Sequence, residues 1–326
     1  MHRRQFISLV GGATVWPLAA RAQPERMRRI GVLMPADEND PEQKRRLSAF
    51  LQRLRELGWI EGRNVAIEYR WAEGRNEPLP EIARDLVRLN VDVIVTSGNE
   101  AVRASKQATL VIPIVFTVAG DPLGTGLIAS LARPGGNVTG LSLQQTDLAG
   151  KRVDLLRRLL PDMRRLAVMA NVANPGAAPE MDELEAACRG LGLDLARFEI
   201  RRAGDIAPAF ESLKGKAEAL YVVGDSLMLT NRVRISILAV AARLPTIYNN
   251  AALVESGGLL SYGPNISDMY RRTAELVDKI RRGTRPAEIP VEQPTNFDFV
   301  INLTTAQVLG LTIPPTIRAL TTVLIE

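Results

Sequence analysis

Apolar runs and amphipathic segments alternate along nearly the whole chain, in two successive rounds. A short buried run followed by a helical pattern is one βα unit, and a series of such units builds a mostly parallel sheet covered by helices. In the first round 29–34 reads as a strand, 43–57 as a helix that Gly58 stops, and 65–71 as an alternating second strand. A helix over 79–89, a buried strand over 91–96, a helix over 100–108 and a strand over 112–116 follow. A short helix is expected over 123–132, then a strand over 138–143 after the Pro134-Gly135-Gly136-Asn137 turn.

A helix over 148–160, closed by Pro161, leads into the second round. The pattern there predicts strands at 165–170, 193–200, 219–223, 245–248 and 258–262, with helices at 180–191, 206–213, 228–244 and 267–282. Apolar runs at 297–301 and 303–309 and the pair Pro314-Pro315 end the chain. At 326 residues it exceeds the roughly 250–300 at which single cores split. The expected fold class is therefore α/β, with two Rossmann-like lobes and a central ligand cleft where the carboxyl ends of both sheets meet.

Residues 1–22, MHRRQFISLVGGATVWPLAARA, read as a cleavable export signal. Arg3 and Arg4 form a charged start, 6–20 is a mildly apolar run too short to span a membrane, and Ala20-Arg21-Ala22 is a small-x-small cleavage site. The Arg-Arg-x-Phe-Ile order, the glycines of the apolar run and Arg21 favour twin-arginine export, with cleavage after Ala22, into the periplasm. Removing this segment removes His2, the only histidine, so histidine-based nucleophilic catalysis and histidine metal ligation are unavailable to the mature chain. Arg3, Arg4 and Arg21 leave and no acid does, which takes the formal net charge from +5 to +2. That balance does not suggest a nucleic-acid face. Cys188 is the single cysteine, so no intramolecular disulfide forms; its helical context reads as a small buried apolar residue. No catalytic residue, metal site or cofactor is expected.

The loops at the carboxyl ends of the predicted strands are rich in Ser, Thr, Asn, Gly and Asp. Several precede helices, whose free N–H groups and dipole ends favour an anion such as a carboxylate. Each such residue has a plainer reading as a helix cap or turn former. Tyr248 and Tyr262 end predicted strands and either stack on a ligand ring or pack half-buried. Glu100 and Asp121 either contact ligand or complement a helix dipole.

The segment Gly120-Asp121-Pro122-Leu123-Gly124-Thr125-Gly126-Leu127, continuing through Ala132-Arg133-Pro134-Gly135-Gly136-Asn137-Val138-Thr139-Gly140, resembles a characteristic segment of the ABC-transporter substrate-binding proteins related to the tryptophan-binding TrpX group. Leu57 to Asn64, Leu244 to Tyr248, Gln293-Pro294-Thr295 and Ile301 to Pro314 resemble the same family in the same order, whereas 318–326 departs from its charged ending. The resemblance implies a type I periplasmic binding protein fold: lobes of 23–141 plus 263–290 and of 142–262 plus 291–326, closing by a hinge on a small ligand. It implies a monomer that delivers the ligand, without turnover, to an inner-membrane ABC permease with its ATPase, and that neither inserts in the membrane nor binds nucleic acid. Ser97, Gly98, Asn99, Thr117 and Val118 are then expected to hold a ligand carboxylate, and Asp225 an ammonium group. Asp121, Asn171, Ser226, Tyr248, Asn249 and Tyr262 complete the expected ligand set.

One motif supports a different class. Gly124-Thr125-Gly126-Leu127-Ile128-Ala129 fits G-x-G-x-x-A, and Asp147 follows about 20 residues on, as in dinucleotide-binding sites of an exported NAD(P)-dependent oxidoreductase. Its place in the fourth βα unit, and Pro134 soon after it, count against that reading. A ligand-sensing module for a membrane receptor shares the same fold.

Overall fold

The computed structural model describes residues 27–326; the export-signal segment, its cleavage site and His2 lie outside the described residues. In the first half the chain runs β1 (Arg28–Met34), α1 (Pro41–Glu56), β2 (Val65–Trp71), α2 (Leu79–Arg88), β3 (Val93–Thr96), α3 (Asn99–Ala108), β4 (Ile114–Ala119) and β5 (Val138–Ser142). The five strands form a parallel sheet of order β2-β1-β3-β4-β5. Successive strand residues point to opposite faces. Ile30, Val32, Val93 and Val95 therefore join a core with Phe50 and Leu54 of α1, while Leu33 and Ile94 join another with Leu86 and Val102. Both faces are covered, which is why these strands read as continuous apolar runs.

The second half comprises α4 (Ala149–Leu159), β6 (Arg165–Asn171), α5 (Ala177–Leu191), β7 (Asp194–Ile200), α6 (Ile206–Leu213), β8 (Ala219–Val222), α7 (Ser226–Thr230), α8 (Arg232–Ala241), β9 (Thr246–Tyr248), α9 (Ala251–Glu255) and β10 (Leu260–Pro264). Then α10 (Ile266–Arg281) returns to the first sheet, where it packs along α1 and over β4 and β5. The chain crosses back to finish with β11 (Phe297–Asn302), α11 (Leu303–Val308), α12 (Pro315–Arg318) and β12 (Val323–Ile325). The second sheet has the order β12-β11-β10-β9-β8-β6-β7, parallel except between β10 and β11. The three passages between halves run side by side. Ser142 N–H donates to the Glu292 carbonyl at 2.9 Å, Glu292 N–H to Gly140 at 2.9 Å, and Asn265 N–H to Asn296 at 2.9 Å.

Three expectations are corrected. No helix forms over 123–132: Asp121 and Pro122 instead organise a turn, with Gly124 N–H donating to Asp121 Oδ1 at 2.9 Å and Leu127 and Ile128 N–H to the Pro122 carbonyl. Gly126, at φ +69°, breaks any helical run there. The G-x-G-x-x-A segment therefore opens no helix and lacks the N-terminus on which a pyrophosphate would sit. The expected helix over 228–244 starts earlier and divides at Asn231, which ends α7 and precedes α8. The helix α9 occupies what read as loop, started by Asn250, whose Oδ1 accepts from Ala252 N–H at 3.0 Å. Cys188 is buried in the core and its thiol is pushed up to about 11 by burial. Among the described residues, no helix is long and apolar enough to cross a membrane.

Candidate functional site

The carboxyl ends of the two parallel sheets face each other across a cavity of about 490 Å³. Its first wall is made by the segments after β1, β2, β3 and β4, its second by those after β6, β7, β8 and β9, with Leu143 and Gln145 at the crossover between them. Of the residues expected from sequence, Ser97, Gly98, Asn99 and Val118 line the first wall, and Asn171, Asp225, Ser226 and Asn249 the second. Gly98 sits at φ +82°, a conformation that a side chain disfavours, and directs the chain into α3. Its N–H donates to the Val118 carbonyl at 2.8 Å, while Asn99 Oδ1 accepts from Gly120 N–H at 3.1 Å. These bonds lock two loops together and present the first turn of α3 to the cavity.

On the opposite wall Asp225 caps α7, its Oδ1 accepting from Met228 N–H at 2.8 Å. Asn171 Nδ2 donates to its other oxygen at 2.5 Å. Desolvation nevertheless outweighs these bonds and raises the Asp225 carboxyl to about 6. A buried carboxylate that keeps its charge only near neutral pH gains most from a cationic partner. Glu100 also lines the cavity, and burial pushes its carboxyl up against the opposing influence of Arg103.

Four expected residues stand elsewhere. The strand β4 runs on to Ala119, so Thr117 lies within it, fully buried and outside the cavity lining. Asp121 is spent on the turn described above. Tyr248 is a core residue of the second lobe, its ring pressed on Gly258, where an added Cβ would come within 2.3 Å. Burial pushes its hydroxyl up to about 12. Tyr262 stacks on Phe297 of the neighbouring strand at 5.9 Å and 10° and meets Phe299 edge-on. Both tyrosines are packing residues.

The expected ligand set omits Arg46, Gln145 and Asn250, of which only Asn250 lies in a loop at the carboxyl end of a predicted strand. Arg46 is buried at the cavity edge, where Nε donates to Glu42 at 2.6 Å and Nη2 to Asn250 at 3.0 Å. Gln145 Nε2 donates to the Gly224 carbonyl at 2.9 Å, next to Asp225, and to Glu180. Behind it lies a fully buried cluster. Arg152 donates to Gln145, Glu180 and Tyr221 at 3.0, 3.2 and 2.8 Å, and Tyr221 donates to Glu180 at 2.6 Å. Burial raises the Glu180 carboxyl despite the adjoining Arg152.

The walls touch. An added Cβ on Gly176 of the second lobe would lie 2.7 Å from Asn99 Nδ2 of the first, and one on Gly74 of the first 2.9 Å from Thr230 of the second. Arg232 also reaches across to Asp40. The lobes are closed over the cavity.

Two such lobes, joined by three adjacent crossovers and closed on a central cavity, define a type I periplasmic binding protein. Residues 30–324 match the model of the family described as ABC transporter substrate binding protein, and the chain belongs to that family. It is 25% identical over 291 residues to a tyrosine-binding protein of Clostridioides difficile, covering 89% of this chain and 83% of the relative. Among solved structures it resembles an ABC domain of Streptococcus pneumoniae in complex with L-Trp, with a TM-score of 0.86, 25% identity and coverage of 91% and 99% of the two chains. A substrate-binding protein with adhesive properties from Clostridium difficile, in its ligand-free, open structure, gives a TM-score of 0.69 at the same 25% identity, over 92% and 99%.

Proposed function

We propose that this protein is the exported solute-capturing component of an ABC importer. It closes its two lobes on an amino acid, with an aromatic one or a related aromatic compound favoured, and releases it unchanged to an inner-membrane permease with its ATPase. The observation that carries this reading is the opposition of Asp225 on one wall to the α3 N-terminus and the Ser97-Gly98-Asn99 loop on the other. A zwitterion satisfies both: its carboxylate meets N–H and hydroxyl donors of the first lobe, and its ammonium meets Asp225 of the second. Such a ligand contacts both lobes only when they are shut, so its differential affinity for the closed state drives closure.

The names of two relatives support the amino-acid class, one as a tyrosine-binding protein and one through its bound L-Trp. Among the described residues none of the cavity-lining side chains is aromatic. An aromatic ring in this cleft therefore packs on aliphatic groups such as Val118, Leu227, Leu253 and Ile266. Export to the periplasm by the twin-arginine route, with cleavage after Ala22, and a monomeric state complete the proposal. So do lobes divided as 23–141 plus 263–290 and 142–262 plus 291–326, and a ligand set of Ser97, Gly98, Asn99, Val118, Asn171, Asp225, Ser226 and Asn249.

The test is a thermal-shift panel of amino acids, aromatic acids, sugars and nicotinamide cofactors. A ligand that prefers the native state at a hundred times its Kd stabilises it by about 2.7 kcal/mol. L-Tyrosine or L-tryptophan is expected to raise Tm by several degrees. A shift with a nicotinamide cofactor alone would replace this reading with the oxidoreductase.

A further inference from the structure

The first two turns of α1 carry polar contacts to the opposite lobe. Asp40 meets Arg232, Arg46 meets Asn250 at 3.0 Å, and Arg45 meets Glu255 at 2.8 Å. These contacts differ in weight. Arg45 and Glu255 are about half exposed, and pairs of that kind contribute little. Arg232 and Asp40 retain only 15% and 9% side-chain exposure, and their contact is bidentate, Nη1 to Oδ2 at 2.6 Å and Nη2 to Oδ1 at 2.8 Å. Both groups are also pre-set by their own lobes. Asp40 Oδ1 caps α1 through Glu42 N–H at 2.9 Å, and Arg232 Nη1 donates to the Leu229 carbonyl at 3.0 Å. Little side-chain freedom remains to be lost when the pair forms.

Neither Asp40 nor Arg232 lines the ligand cavity. We propose that this pair is a latch: two positioning residues that hold the lobes shut over the ligand without touching it, and so set its rate of release. Opening the cleft separates the two ends of the pair, because one rides on the start of α1 and the other on the start of α8. The pair therefore acts on the closed state alone. Its effect belongs in the dissociation rate, since closure follows encounter. The ligand-release part rests on the capture reading; the lobe-closing part does not.

The test uses Asp40→Asn, Arg232→Gln and the double variant. Asparagine keeps the Oδ1 acceptor that caps α1, so the helix is preserved. Two readouts are taken: stopped-flow dissociation of L-tyrosine and L-tryptophan, and the distance between spin labels placed one on each lobe, without ligand. Each single variant is expected to raise koff about tenfold with kon and Tm little changed. The double variant should add no more than about twofold to the larger single, because both remove one interaction. Without ligand, the variants should show a smaller closed population than the natural protein. If neither amino acid binds, the capture reading fails and the label distances alone decide the latch. Equal distances in all four proteins, with equal koff where a ligand binds, would overturn it.

Discussion

Asp225 concentrates the chemistry of the cleft in one titration. Its carboxyl holds a proton up to about 6 in the folded protein, above the ordinary carboxylate range. The folded state therefore binds that proton more tightly than the unfolded chain, and the ligand-free protein loses stability as pH rises through that window. On the proposed pose ligand binding should have the opposite dependence, because an ammonium group needs the carboxylate. Affinity for an amino acid should hold steady above pH 6 and fall by about tenfold per unit below it, as measured by calorimetric titration. Asp225→Asn should weaken binding by about a hundredfold or more and abolish that pH dependence. Gly74 lies where the first lobe meets Thr230 of the second. Alanine there meets both a φ of +74° and the Thr230 side chain at 2.9 Å. The backbone strain, about 1 kcal/mol, is present whether the lobes are open or shut, but the clash arises only on closing. Gly74→Ala should therefore weaken ligand affinity more than it lowers Tm, and Thr230→Ala should restore part of the loss. Ser97, Asn99 and Asp225 were legible in the sequence because they follow apolar runs directly. Tyr248 and Tyr262 were not, because a side chain's face depends on the register at the strand end. Arg46 was invisible for another reason: nothing in Lys44-Arg45-Arg46 separates the buried guanidinium from its exposed neighbour.

Among the elements, α4, α5 and β8 are joined by a fully buried polar cluster. Arg152, Glu180 and Tyr221 are each fully buried, and removing one member leaves the others uncompensated. Glu180→Ala should cost about 3–5 kcal/mol in urea unfolding, far more than loss of an exposed pair such as Arg84 with Glu81. The alternation of apolar and amphipathic segments made most of these elements readable, since buried parallel strands keep their signal over four or more residues. The failures have local causes. Over 123–132 an apolar pattern suited a helix, yet Pro122 and two glycines drew the backbone into a turn. Between α7 and α8 the pattern continued unbroken through Asn231, where only the cap geometry divides the helix.

For the molecule as a whole the decisive property is that its two sheets wall one cavity. Proposed capture makes the whole chain respond to a small solute, so a bound amino acid should raise the apparent melting temperature of both lobes together. Fluorescence and circular dichroism should report coincident unfolding transitions, shifting in parallel with ligand concentration. The two-lobe plan was visible in the sequence as a restart of the same grammar after Pro161. How closely the walls approach was not, because that distance is set between residues such as Gly176 and Asn99 that lie far apart in the chain.

The three crossovers that run side by side also govern how the molecule can come apart. Each lobe is assembled from separate stretches of chain, the first sheet borrowing α10 from beyond β10, and the second taking back β11 and β12. A protease that cuts one crossover leaves the lobes tethered by the other two, and no single nick releases either as a separate domain. Nor can the first lobe be completed before α10 has emerged from the ribosome, so its core stays open until most of the second lobe has already been made.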